Sequence, residues 1–153
     1  MSEERLTHLN ERGEANMVDV SSREVTTRSA TASGKVKLSS EVLNAIANNQ
    51  TPKGDVLATA RIAGIMGAKK TSELIPLCHP IAIHKVEVEL KIESDGVAIT
   101  SIVKTNDRTG VEMEALTAVS VAGLTLIDMI KALDPSASIT NIQVESKSGG
   151  KNG

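Results

Sequence analysis

Phenylalanine, tyrosine and tryptophan are all missing from this 153-residue chain. Its core must therefore be assembled from Val, Ile, Leu, Met and Ala. No base can be stacked on an aromatic ring, the usual grip of single-strand binders, so an RNA- or DNA-binding module is not expected. Cysteine is nearly as scarce: the lone Cys78 excludes an internal disulfide and fits a reducing compartment. Neither charge sign dominates. A net charge of -2 gives nothing global to draw nucleic acid or an anionic membrane, so any anion site must come from local clustering. Targeting and membrane-spanning segments are not expected either. Met1 to Asn16 has no apolar core of the kind a signal peptide needs, and no stretch is expected to span a membrane. A cytoplasmic location is the expectation.

What remains, 40% apolar and 24% charged residues, suits one soluble domain with a single core. Residues 1–20 are polar and Glu-rich and read as a flexible segment up to the apolar stretch Met17 to Val20. Arg23 to Leu38 reads as extended, with Gly34 as a bulge or bend. Ser39 or Ser40 caps a helix to about Asn48, and Asp55 caps a second through Lys70. Lys85 to Ile92 alternates charged and apolar residues and predicts a half-buried strand, joined through Asp95-Gly96 to a partner over Val97 to Thr105. A long helix is predicted from about Gly110 to Leu133, stopped by Asp134-Pro135, and a last strand from Ile139 to Glu145. The order β-α-α-β-β-α-β fits an α+β ferredoxin-like sandwich, an antiparallel sheet with helices packed on one face. One domain over 21–146 is expected, followed by a Gly/Lys-rich tail over 147–153 whose composition reads as a solvated end.

The long helix is unusual. Ala115 to Ile127 are thirteen residues without a charge, apolar on every face. One stripe suffices to cover a sheet, so the surplus face is expected in a subunit interface. Its charges sit at the ends, Glu112 and Glu114 against Asp128 and Lys131. Glu114 and Asp128 are separated by roughly 21 Å along the axis, too far to share a site on one helix. Two copies packed antiparallel about a two-fold axis would bring opposite ends together, giving sites shared between subunits.

Asp128 and Lys131 stand i, i+3 on one face. Functionally they form an acid/base pair, in which desolvation would tune the lysine toward neutrality. The bland alternative is a surface ion pair worth little. Thr109-Gly-Val-Glu112 matches a capping box, which explains Glu112 structurally and leaves Glu114, with Met113, as the better ligand candidate. His79 lies in the Pro-bounded loop Leu77-Cys78-His79-Pro80, a usual place for functional side chains. Cys78, His79 and His84 lack a usual zinc spacing, so no metal site is expected. Neighbouring Cys and His seldom meet in the geometry of a nucleophile and its base. Lys53 beside Gly54, Lys69-Lys70 and Lys147-Ser-Gly-Gly-Lys151 are Gly/Lys combinations that suit phosphate, though no P-loop pattern is present.

Taken in order, Met17-Val-Asp-Val-Ser21, Lys53-Gly-Asp-Val-Leu-Ala-Thr-Ala-Arg-Ile-Ala-Gly-Ile65, Leu74-Ile-Pro-Leu-Cys-His-Pro80, Thr109-Gly-Val-Glu-Met-Glu-Ala-Leu-Thr-Ala118, Asp128-Met-Ile-Lys131 and Lys147-Ser-Gly-Gly-Lys151 resemble the motifs of the cyclic pyranopterin monophosphate synthase family of molybdenum cofactor biosynthesis. The resemblance covers the chain from about Leu6 to Lys151. It implies a lyase that converts 3′,8-cyclo-7,8-dihydroguanosine 5′-triphosphate, a cyclised GTP, into cyclic pyranopterin monophosphate and diphosphate. It also implies ferredoxin-like subunits in a homo-hexamer, a trimer of dimers, with active sites between subunits. By motif matching Asp128 and Lys131 are catalytic, while Leu77, Cys78, His79, Met113 and Glu114 line the substrate site. Glu112, Lys53, Arg28 and Lys147 are further substrate-binding candidates. No cofactor is implied as required, and a role for Mg²⁺ is left open. The chain departs from many relatives at Ile127, where they carry an aromatic residue, and with no Phe, Tyr or Trp it has no such ring to offer the pterin. The rivals to this reading are a non-catalytic, oligomeric nucleotide-binding module, which needs no acid/base pair facing its ligand, and a scaffold that uses the apolar helix only for assembly.

Overall fold

In the computed structural model, which describes residues 9–150, four strands and four helices follow the expected order with one short helix added. They are β1 (Thr26–Lys37), α1 (Ser40–Ala47), α2 (Val56–Lys69), α3 (Thr71–Leu74), β2 (Ile83–Glu93), β3 (Gly96–Asp107), α4 (Glu112–Ile130) and β4 (Ser138–Ser148). The sheet order is β2-β3-β1-β4 with every neighbouring pair antiparallel, and the helices lie on one side. This is the α+β ferredoxin-like sandwich.

Alternation along the central strands decides which face the helices cover. Val97, Ile99, Ser101 and Val103 of β3 and Ala30, Ala32 and Val36 of β1 are buried, while Thr31, Ser33, Thr100 and Ile102 between them are half-buried. The buried Ser101 is satisfied because its hydroxyl donates to the Ala115 carbonyl at 2.7 Å, which pins α4 onto β3. Gly34 sits where the β1–β4 register slips, as its residue type predicts, and a Cβ there would stand 2.8 Å from Val119 Cγ1. The sheet bulges there and α4 crosses closely above it.

The capping serines and aspartates behave as read: Ser39 Oγ accepts from the Val42 N–H and Asp55 Oδ1 from the Ala58 N–H. Asp134 does more than stop a helix. Buried, it accepts from the Ser39 and Ser136 N–H groups and ties the end of α4 to the start of α1.

Four expectations change. The long helix begins at Glu112 with no side-chain cap, so the Thr109–Glu112 capping box does not form. By length and hydropathy α4 does reach the measure of a membrane span, but 56% of that window is buried in the fold, as in a core helix. Much of its second apolar face is covered within the chain by α2, where a Cβ on Gly64 would stand 2.9 Å from the Ala118 carbonyl and one on Gly67 would stand 2.7 Å from Val121. What stays uncovered is narrower, a stripe from Met113 through Leu124 to Asp128. The last strand continues through Ser148, so Lys147 belongs to the sheet, paired with Ala30. The first eight residues of the N-terminal segment and Lys151 of the tail lie outside the described residues.

Candidate active site

Three groups of the expected residues take shape, each placed by a different part of the chain. The first surrounds a cavity of about 290 Å³ at the start of α4. Leu77, Cys78 and His79 come from the loop before β2, and Glu112, Met113 and Glu114 from the first turn of α4. Val18, Val20, Arg23, Thr109 and Gly110 complete the wall. The N-terminal segment is held there by His79, whose Nε2 hydrogen bonds to the Val18 carbonyl. A carbonyl can only accept, so Nε2 carries the proton.

Glu114 dominates this cavity electrostatically. Its residue is 4% exposed. Burial, reinforced by the nearby Glu112 carboxylate and opposed by a backbone hydrogen bond, raises its carboxyl from 4.5 to about 7. It is thus poised to hold or release a proton near neutral pH. The same burial, with Glu114 beside it, pushes the Cys78 thiol up, which keeps it protonated and unfit as a nucleophile.

The second group lies at the opposite end of α4. Lys131 Nζ donates to Asp128 Oδ1 at 2.9 Å. Lys53, from the loop before α2, donates to Asp128 Oδ2 at 3.2 Å and to the Asp128 carbonyl at 3.1 Å. Lys53 therefore also satisfies a carbonyl in the last turn of α4, where a cation suits the helix dipole. The Lys131 and then the Lys53 hydrogen bonds hold the Asp128 carboxyl below the usual carboxylate range, so it remains ionised. Two cations on one anion leave this cluster net positive. Within one chain the pair is open to solvent, with side chains 57% and 61% exposed for Asp128 and Lys131, so the enclosure expected from an apolar helix is not supplied by the protomer.

The third group projects from the sheet strands β1 and β4. Lys147 of β4 approaches Glu112 at 3.8 Å, which gives Glu112 a partner in place of the absent cap. Arg28 of β1 donates through Nε to the Asp107 carbonyl at 3.3 Å. Among the described residues no group of three or more His, Cys, Asp or Glu side chains could hold a metal ion.

The fold thus gathers Leu77, Cys78, His79, Glu112, Met113 and Glu114 around one cavity, with Lys147 beside it through Glu112. It keeps Lys53, Asp128 and Lys131 apart from them. Sequence reasoning missed Arg23 and Thr109 as lining residues, and it took Met17 to Val20 as an apolar stretch and part of a family motif without placing it in the cavity wall. The available signal was position: Arg23 follows that segment by three residues.

Comparison with known proteins adds a family match and three relatives. The MoaC family model matches residues 17–150. The cyclic pyranopterin monophosphate synthase of Streptomyces griseus subsp. griseus is 64% identical over 152 residues, covering 99% of this chain and 86% of the relative. The synthase of that name from a Nocardioides species is 57% identical over 155 residues (99% and 95% covered), and cyclic pyranopterin monophosphate synthase 2 of Mycobacterium tuberculosis is 54% identical over 148 residues (97% and 89% covered).

Proposed function

Since the chain belongs to the MoaC family, we propose that it carries out the cyclic pyranopterin monophosphate synthase reaction of molybdenum cofactor biosynthesis. On this reading it converts 3′,8-cyclo-7,8-dihydroguanosine 5′-triphosphate into cyclic pyranopterin monophosphate and is a diphosphate-releasing lyase of the cytoplasm. The observation that carries the residue assignment is the division of α4 into a buried acid at one end and a cationic cluster at the other.

The purine-derived part of the substrate fits the cavity of Leu77, Cys78, His79, Met113 and Glu114, where contacts are aliphatic and polar because no aromatic ring exists to stack on. Rearranging the imidazole part needs proton transfers and no redox step. Glu114 can exchange a proton near pH 7, and the His79 imidazole can hold a purine-derived heteroatom by hydrogen bonding. Forming the cyclic phosphate requires a substrate hydroxyl to attack the α-phosphorus while the bond to the β-phosphate breaks and diphosphate leaves. The proton lost by that hydroxyl needs an acceptor, and the departing oxygens need positive charge. Lys131, steadied by Asp128, is the acid/base candidate, and Lys53, Arg28 and Lys147 suit the charge.

The two ends of α4 are linked by its uncovered stripe, Met113 through Leu124 to Asp128. Two copies laid antiparallel on that stripe would bring the Asp128–Lys131 end of one to the Glu114 cavity of the other and exclude water from both. A trimer of such dimers gives the homo-hexamer with sites between subunits. No resident cofactor is needed on this reading, and turnover of chelator-treated enzyme with and without added Mg²⁺ tests that point. Incubation with the cyclised nucleotide should release diphosphate and a pterin product in equal amounts. If the nucleotide is bound but returned unchanged, the binding-module alternative replaces this one.

A further inference from the structure

The tail glycines are unexplained by phosphate binding alone. Pairing of β4 with β1 ends at Ser148 opposite Ser29, and the next two residues turn sharply: Gly149 has φ +92° and Gly150 φ +70°, the left-handed region where glycine carries no steric penalty. That turn lays the backbone on Arg28. A Cβ built on Gly149 would collide with the Thr27 carbonyl and stand 2.9 Å from Arg28 Cα. One built on Gly150 would collide with Arg28 Nη1 and stand 2.6 Å from Cζ and 2.9 Å from Nη2.

Arg28 is held along its other edge. Its Nε donates to the Asp107 carbonyl at 3.3 Å. The Asp107 carboxylate is close enough to attract Arg28 electrostatically, but its oxygens accept hydrogen bonds from the Arg108 N–H at 2.7 Å and the Ala82 N–H at 3.1 Å and not from the guanidinium. Nε thus anchors one edge of the guanidinium to β3, while the terminal nitrogens, Nη1 and Nη2, are the atoms that the Gly150 backbone lies against.

We propose that Gly150 is a positioning residue: with Gly149 it places tail backbone over the Arg28 guanidinium and sets the direction in which that cation meets the phosphate arm of the substrate. The inference rests on the reading of Arg28 as a substrate-anion ligand. A planar fork suits phosphate only when its plane is aimed, which a lysine's point charge does not require.

The two glycines differ in what a side chain would hit. At Gly149 it meets the backbone of β1. At Gly150 it meets the movable end of one side chain, so a substitution there displaces Arg28 and leaves the strand in place. Gly150→Asn tolerates the left-handed backbone while adding the Cβ, and Gly150→Ala adds the Cβ with backbone strain. Either change should raise KM for 3′,8-cyclo-7,8-dihydroguanosine 5′-triphosphate roughly ten- to hundredfold, the worth of a charge-assisted hydrogen bond. The kcat should change less. The Arg28 Nε–H resonance of the free protein should shift or broaden in both variants.

Epistasis decides between positioning and simple tail damage. Gly150→Asn added to Arg28→Ala should change KM no more than twofold relative to Arg28→Ala alone. A further large rise in that background would overturn the proposal, as would a Gly150→Asn KM equal to wild type when Arg28→Ala is impaired; the substrate role of Arg28 would survive both results. If Arg28→Ala itself has wild-type KM and kcat, the anion-ligand reading fails and this inference fails with it.

Discussion

The two ends of α4 hold carboxylates that are moved in opposite directions by opposite causes. Glu114, at the first turn, is buried and makes no ion pair among the described residues, and its carboxyl is raised to about 7. Asp128, fourteen residues on, is open to solvent between two ammonium groups and is held low. Both belong to one helix and both are acidic, so residue type decides neither behaviour. Desolvation wins where the cavity walls exclude water, and pairing wins where they do not. One end is thereby equipped to exchange a proton near neutrality, and the other to present fixed charge.

The comparison can be broken most severely at the open end. Lys131→Ala should lower diphosphate release by about 10²–10⁴-fold, the usual range for losing a general acid/base. Its oligomeric state by sedimentation should match wild type, because the side chain is 61% exposed with an ion pair to Asp128 and the apolar stripe proposed to join subunits is left unchanged. Wild-type turnover by this variant would remove Lys131 from the mechanism.

Joining the ends across subunits is the next test. Glu114→Ala and Asp128→Ala should each be inactive, and co-refolded mixtures should regain about a quarter of wild-type turnover, since half of randomly formed dimers carry one intact site. Mixtures that stay inactive would count against a site shared between subunits.

The raised carboxyl of Glu114 makes a stability prediction with a definite sign. Folding favours its protonated form, so the benefit is full below the unfolded value near 4.5 and is lost as pH rises through about 7. Glu114→Gln keeps the shape without the charge. It should be more stable than wild type by about 1–3 kcal/mol at pH 8 and no different at pH 4, read by denaturant midpoints at both pH values. Equal midpoints at pH 8 would mean that Glu114 is not desolvated in solution.

The smallest effect sharpens the same end. Glu112 adds to the rise at Glu114 after burial has done most of it. Glu112→Gln should therefore move the acid limb of the pH–turnover profile downward modestly. Losing its half-exposed pair with Lys147 should cost at most about 1 kcal/mol of stability. An unmoved acid limb would assign that limb to another group.

Much of the architecture was legible because local chemistry wrote it. Ser39 and Asp55 cap their helices, Asp95-Gly96 turns the hairpin, and alternation over Lys85 to Ile92 marks a strand, all interactions within a few residues. Reading failed where a partner distant in sequence was decisive. The apparent capping box at Thr109 gave way to a Glu112–Lys147 contact across 35 residues. The surplus apolar face of α4 is largely answered by α2 through the small residues Gly64 and Gly67, a complementarity that no periodicity count contains. Lys147 joined the sheet because β1 offered an open edge, which the tail's own composition could not reveal.

By itself, then, the sequence determined the order of elements, the antiparallel sheet with helices on one face, the absence of any aromatic grip, and the motifs that carry the family resemblance. Periodicity, capping and turn chemistry are short-range and survive in one dimension. Only the tertiary structure decided which carboxylate is pushed up toward neutral pH, that Lys53 shares Asp128 with Lys131, that Arg23 faces the cavity, and that two glycines rest on Arg28. Those outcomes depend on how much water reaches a group and on which distant backbone lies against it.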